Sequence, residues 1–191
     1  MQNLIALACL AVIAAGCASS PSRFYTLSAT AKGDGSAAAD CAVVVGPVSV
    51  PAQVDRPQFT VQVAPNRVAI DEFNRWAEPL NDNIARVIAA DLSVLLGTPR
   101  VTSVSLASFA PAYQVGIGIQ RFESVPGKSV RIEAVWVIRP PAGGAALSGQ
   151  TIASEPVTDA TCDALAAAHS RALAKVSGDL AAAIRAEAAN K

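Results

Sequence analysis

The segment Pro79-Leu-Asn-Asp-Asn-Ile-Ala-Arg-Val-Ile-Ala-Ala-Asp-Leu-Ser-Val-Leu-Leu-Gly97 decides how the chain is read. Its apolar residues Leu80, Ile84, Val87, Ile88, Leu92, Leu95 and Leu96 fall at i, i+4, i+7, i+8, i+12, i+15 and i+16, which is one face of a helix. Pro79 suits the first helical turn, Gly97 suits the C-terminal cap, and Pro99 blocks continuation. On both sides the period changes. Upstream, Ala42–Val50 is a β-branched run closed by Pro51, and its Gly46-Pro47 marks a bulge or an edge position. Phe59–Val63 alternates, and Pro65-Asn66 turns it into a second short strand over Arg67–Ile70.

Downstream, Val101–Phe109 reads as a strand, and then Tyr113, Val115, Ile117 and Ile119 alternate with Gln114, Gly116, Gly118 and Gln120. Val130, Ile132, Ala134, Trp136 and Ile138 alternate with Arg131 and Glu133 before the outer face also turns apolar. Pro126-Gly127 between the two runs predicts an antiparallel hairpin. Pro140–Gly144 makes the next turn, leading to a strand near Ala146–Ser154. A second, Ala-rich helix is expected over Asp159–Ala188, capped by Thr158 or Asp159. Its stripe is Cys162, Leu165, His169, Leu173, Val176, Leu180 and Ile184, shallow enough to pack close to a sheet. Strands, helix, strands, helix predict an α+β domain, a mainly antiparallel sheet with the two helices packed on one face.

The N-terminus carries different information. Leu4–Ala15 is an unbroken apolar run of twelve residues, too short for a spanning helix of about 20 residues but suited to a secretory signal. It ends in Ala14-Ala15-Gly16-Cys17, which resembles a lipobox: small residues admit the backbone to a peptidase cleft, and the thiol takes diacylglyceryl. Residues 1–16 are therefore read as a lipoprotein signal peptide, 17–40 as the lipidated Cys17 with a tether and flexible loop, and 41–191 as one domain. Within the tether, Phe24-Tyr25-Thr26-Leu27 is apolar enough to add an edge strand. The alternative is an ordinary signal peptide that a cysteine happens to follow. Lipidation would leave an N-acyl diacylglycerol on Cys17 as the only attached group, and several acyl chains make release from a membrane negligible.

Fifteen basic and fifteen acidic residues balance, which argues against a nucleic-acid partner. With Cys9 lost and Cys17 acylated, Cys41 and Cys162 form an even pair in an oxidising compartment, so a disulfide between them is expected. Two separate buried thiols are the alternative. His169 is the sole histidine and lies on a helix stripe, where a packed ring with one bonded nitrogen is expected rather than a catalytic one. No metal-ligand set, phosphate loop or nucleophile elbow appears, so no enzyme and no metal site is expected. Asp71, Glu72 and Glu78 are interleaved with Arg67 and Arg75, as on a solvated face.

Three segments carry a resemblance: Val45-Gly-Pro-Val-Ser-Val-Pro51, Asp55-Arg56-Pro57-Gln58 and Asn74-Arg75-Trp76-Ala77-Glu78-Pro79-Leu80. Together with the lipobox and Phe24–Leu27, they make the chain resemble the ABC-type transport auxiliary lipoproteins, the PqiC-type subunit of membrane-integrity transporters. The resemblance implies a lipid-anchored protein on the periplasmic side of the outer membrane. It implies as partners an inner-membrane ABC transporter and an MCE-domain protein carrying phospholipid between membranes, and it implies a ring of identical subunits. Arg56 and Arg75 then become candidate carboxylate binders and Trp76 a candidate partner anchor. A structural role is the alternative for all three, with Trp76 plugging the sheet–helix junction. Two other function classes stay open: a structural envelope lipoprotein that handles no lipid, and a hydrolase relying on His169.

Overall fold

The computed structural model describes residues 21–104, 109–140 and 143–189. The predicted signal peptide and Cys17 lie outside these residues. The elements run β1 (Arg23–Tyr25), β2 (Val43–Ser49), β3 (Gln58–Ala64), β4 (Arg67–Trp76), α1 (Leu80–Leu96), β5 (Val101–Thr102), β6 (Tyr113–Val125), β7 (Ser129–Arg139), β8 (Leu147–Pro156) and α2 (Cys162–Ala189). The fold is α+β, as the alternation of periods indicates. Of the strand expected over Val101–Phe109 only the first two residues are extended, and 105–108 lie outside the described residues.

The strands form two sheets rather than one, ordered β1-β4-β3 and β5-β2-β6-β7-β8. Antiparallel ladders join β3 to β4, β6 to β7 and β7 to β8, while β1–β4, β2–β5 and β2–β6 are parallel. β2 lies between β5 and β6, and its Val43 and Val45 are fully buried against α1. The β2–β6 register breaks between Val45 and Val48, at the cis Gly46–Pro47 peptide, where a bulge was expected.

Period 2 settles the core. Val43 and Val45 of β2, Val115 and Ile117 of β6, and Val130, Ile132 and Ile138 of β7 all turn inward. Helix α1 covers β2 and β5, α2 covers β6, β7 and β8, and the two helices touch each other, so both lie on one face of the larger sheet. In β6 the alternation slips between Ile119 and Arg121, where the ladder to β7 shifts register. The slip turns Phe122 and Ser124 inward toward α2. On β8, a Cβ added to Gly149 would sit inside the Trp136 indole, whose Nε1–H donates to Thr151 Oγ1 at 3.2 Å. Gly149→Ala must displace that ring, and urea denaturation should register a loss of about 2–3 kcal/mol.

The helix ends follow their sequences. Gly97 closes α1 at φ 65°, with Thr98 N–H donating to Ser93 O at 3.1 Å. The cap of α2 falls at Thr161 rather than at Thr158 or Asp159: Thr161 Oγ1 accepts the N–H of Ala164, while Asp159 accepts the N–H of Thr161.

Residues 26–41 lack regular structure but are bound to the fold along their length, which corrects the flexible-loop reading. Leu27 is fully buried and its N–H donates to Asn83 Oδ1. Ser28 N–H donates to Ser170 Oγ, the N–H groups of Thr30 and Ala31 both donate to Asp91 Oδ1 at 2.9 Å, and Arg185 donates to Ala37 O. Asp91 is buried, also accepts from Ser177 Oγ, and so joins this strap to both helices. Polar spacing in 28–40 looked like a linker because its bonds are made by backbone groups, which composition does not reveal.

The expected Cys41–Cys162 disulfide is not formed; both thiols are free. Cys162 opens α2, whereas Cys41 lies by Arg185 near the other end of that helix. At 1.5 Å per residue, 23 residues of helix separate those ends by roughly 34 Å, against the 7 Å or less between Cα atoms that a bridge tolerates. Burial pushes both thiols up, Cys162 to about 11. Adding a reductant should leave the thermal midpoint unchanged; breaking a native bridge would remove about 2–5 kcal/mol and lower it by several degrees.

Candidate functional site

The two most distinctive sequence segments are far apart in the chain and adjacent in space. Asp55-Arg56-Pro57 forms the turn entering β3, Trp76 ends β4, and Glu78-Pro79-Leu80 opens α1. All of them line one surface groove of about 390 Å³. The backbone holds the segments together: Trp76 N–H donates to Pro57 O at 2.7 Å, and Ala77 N–H donates to Tyr25 O at 2.8 Å. Pro57 and Pro79 stiffen the two walls, because each fixes its own φ.

The charged groups at the rim divide into held and available. Glu78 accepts hydrogen bonds from Arg86, Asn83 and Thr26, and the Arg86 guanidinium, ahead of the other partners, holds its carboxyl below the usual carboxylate range. Arg56 is exposed and has no hydrogen-bond or ion-pair partner among the described residues. Arg75, on the opposite side of β4 from Trp76, donates through Nε to Glu72 O at 2.9 Å and lies 3.8 Å from the Glu72 carboxylate. The three residues singled out for partner binding therefore separate. Arg56 points to solvent at the groove, Arg75 braces its own strand, and Trp76 forms the groove's buried end.

Trp76 is only 6% exposed and belongs to an aromatic series that crosses the interior. Its indole stacks on Phe59 at 4.2 Å, Phe59 meets Tyr25 edge-on at 5.4 Å, and Trp76 meets Phe122 edge-on at 6.1 Å. Phe122 stacks on His169 at 3.8 Å. The series runs from the smaller sheet through β6 to α2, so it holds the groove's wall against the main core. The arrangement makes Trp76 the plug of the sheet–helix junction. Its position depended on two unrelated strands, which spacing within one segment could not show.

His169 is fully buried, with Nε2 2.8 Å from Ser124 Oγ and no partner for Nδ1 among the described residues. Burial drives its pKa down to about 3, so the ring is neutral. A nucleophile–base pair also needs an orienting group on the second ring nitrogen and a path for substrate, and neither is present around this pair. Among the described residues no three His, Cys, Asp or Glu side chains are grouped to hold a metal ion. No described helix is long and apolar enough to cross a membrane.

The residues that hold Glu78 at the groove, Arg86, Asn83 and Thr26, are not evident from sequence, although Asn83 and Arg86 lie on the first two turns of α1, close behind Glu78.

Comparison with known proteins identifies the fold. An uncharacterized protein of known crystal structure superimposes with a TM-score of 0.71 at 19% identity, covering 86% of this chain and 99% of its own. A protein of the DUF330 family from Xanthomonas campestris gives 0.69 at 19% identity, over 83% of this chain and 92% of its own. No curated protein matches. The family model for the ABC-type transport auxiliary lipoprotein component matches residues 25–181, a span that contains the groove, the aromatic series, α1 and α2 as far as Ala181. The chain belongs to the ABC-type transport auxiliary lipoprotein family, and is thus a membrane-anchored envelope protein that serves a transport system.

Proposed function

We propose that the protein is a non-catalytic auxiliary subunit of an MCE- and ABC-type system moving phospholipid between the inner and outer membranes. It would be held at the periplasmic face of the outer membrane by acylated Cys17. The observation that carries the reading is the convergence of Arg56-Pro57 and Trp76–Leu80 on one groove, with Arg56 unpaired at its rim. A groove with rigid walls, an apolar end and one free guanidinium suits a partner segment that brings a carboxylate. It offers no group positioned to break a bond, and no lipid need enter it.

Crosslinking the native lipoprotein in membranes and identifying what is captured tests the reading. Recovery of an MCE-domain protein with its ABC ATPase is expected. Capture of other envelope lipoproteins or assembly factors, with no transporter subunit, would instead favour a structural lipoprotein. Arg56→Glu should cut recovery of the partner at least about tenfold, equivalent to 1.4 kcal/mol, while leaving the unfolding midpoint unchanged.

A further inference from the structure

A second groove, of about 730 Å³, lies between the start of the strap and α2. Phe24, Thr26 and Lys32 line it on the strap side, and Asp163, Ala167 and Arg171 on the helix side. The strap runs alongside the helix. Tyr25 lies near Asp163, Ser28 and Thr30 are bonded to Ser170, and Lys32 borders the stretch that ends at Ala174. The trough therefore follows α2 from Asp163 to Ala174, roughly 16 Å. Small side chains at Ala166, Ala167, Ser170 and Ala174 keep its floor open.

Phe24 stands at one end and is 65% exposed, more than any other large apolar side chain among the described residues. It alternates with Tyr25, which faces the core, so β1 itself turns Phe24 outward. No described residue covers it. Around it and along the trough lie the basic side chains Arg23, Lys32, Arg171 and Lys175 and the acids Asp71, Asp163 and Glu155. Arg171 and Lys175 share Glu155, which leaves Arg23 and Lys32 as exposed surface cations.

We infer that this face is the protein's membrane-docking surface: Phe24 enters the interfacial layer, and Arg23 and Lys32 meet the headgroups of anionic phospholipid. The inference rests on the reading of Cys17 as the lipid anchor, because chain length then fixes where this face must be. Six residues lie between Cys17 and Phe24, so even a fully extended chain keeps Phe24 within roughly 25 Å of the acyl anchor. Among the described residues no other exposed large apolar side chain is so close to the anchor in sequence. An amphipathic aromatic contact flanked by lysine and arginine is the usual composition of an interfacial anchor. A single phenylalanine would be too weak alone, but the covalent anchor makes its contact intramolecular and so raises its effective concentration. Attraction between the basic side chains and an anionic surface acts within a Debye length of about 8 Å, a distance that Phe24 insertion closes.

The test uses the full acylated chain reconstituted into vesicles of phosphatidylcholine with phosphatidylglycerol, some carrying brominated acyl chains. The natural tryptophans, Trp76 and Trp136, are buried and should be quenched little. Phe24→Trp should be quenched several-fold more strongly than the unsubstituted chain, with blue-shifted emission. Ile152→Trp, at an exposed position of β8 that faces away from α2, should not be. Adding Lys32→Glu and Arg23→Glu should reduce the quenching of the Phe24→Trp chain in vesicles containing phosphatidylglycerol and abolish its salt dependence. Flotation reports separately on the anchor, since Cys17→Ser should release the chain from vesicles. Cys17-dependent flotation with Phe24→Trp quenched no more than Ile152→Trp overturns the docking surface and leaves the anchor standing. Flotation unaffected by Cys17→Ser overturns the anchor and the docking surface with it.

Discussion

Between pH 6.5 and 5 the protein should lose about 2 kcal/mol of unfolding free energy that a His169→Leu variant does not lose. The ring titrates near 6.5 in an unfolded chain, but burial holds it to about 3 in the folded one. Below 6.5 the unfolded state therefore binds a proton that the native state refuses. Stability is complete above 6.5 and falls by about 1.4 kcal/mol per unit as pH drops, until the folded ring itself titrates. Continued to pH 3, this amounts to roughly 4–5 kcal/mol, comparable with the total stability of a small domain. The upper part of the window isolates His169. The carboxyls of Asp71, Glu78 and Glu155 are all held low and stay ionised there, so their losses begin at lower pH. Asp91 acts in the opposite sense, since burial raises its carboxyl and proton uptake favours the folded chain. Comparing the variant with the parent at each pH removes those shared contributions. At pH 7 His169→Leu should itself cost about 1–3 kcal/mol, because Ser124 Oγ is left buried without its partner. Parallel urea midpoints for the two proteins across the window would contradict the neutral buried ring.

Trp76→Ala should remove about 3–5 kcal/mol, the usual cost of deleting a large aromatic from a packed interior. The loss combines burial of the indole with its stacking on Phe59 and its edge contact with Phe122. Trp76→Phe should recover much of it. The experiment separates the two roles open to this residue. An anchor for a partner would leave the isolated protein stable and abolish capture, whereas a core residue lowers the midpoint first. Arg56→Glu should behave in the reverse way, stable and deficient in capture. Urea denaturation and crosslinking on the same two variants therefore assign the groove's buried end to packing and its rim to recognition.

How far the sequence could be read depends on the range of the interaction that fixes each feature. Helix α1 was legible because its cap, stripe and stop lie within twenty residues of one another. The β6–β7 hairpin was legible because alternation and the Pro126-Gly127 turn are local. What escaped were pairings between distant segments. Nothing within Arg23–Tyr25 says that it lies parallel to Asn74–Trp76, and nothing within β2 selects β6 as its neighbour. The division into two sheets follows from those pairings and was lost with them. Cys41 and Cys162 paired on count alone, and the length of α2 set them apart. At the groove, the residue types of Arg56 and Trp76 suggested recognition, but only strand alternation shows that Arg75 faces away from it.

The strap has a kinetic consequence. Its bond from Ser28 to Ser170 spans 142 residues, and that from Ala37 to Arg185 spans 148. Contacts this distant in sequence can form only after the rest of the chain has nearly settled, because the entropy of closing such loops must be overcome before they give anything back. The strap should therefore be the last segment to dock during folding and among the first to come away. Native-state hydrogen exchange would then find the amides of Thr30 and Ala31 opening at a lower free energy than those of β6 and β7. A protein held to its membrane through this end would meet every tug first in its least stable part, and the sheets behind it could stay intact.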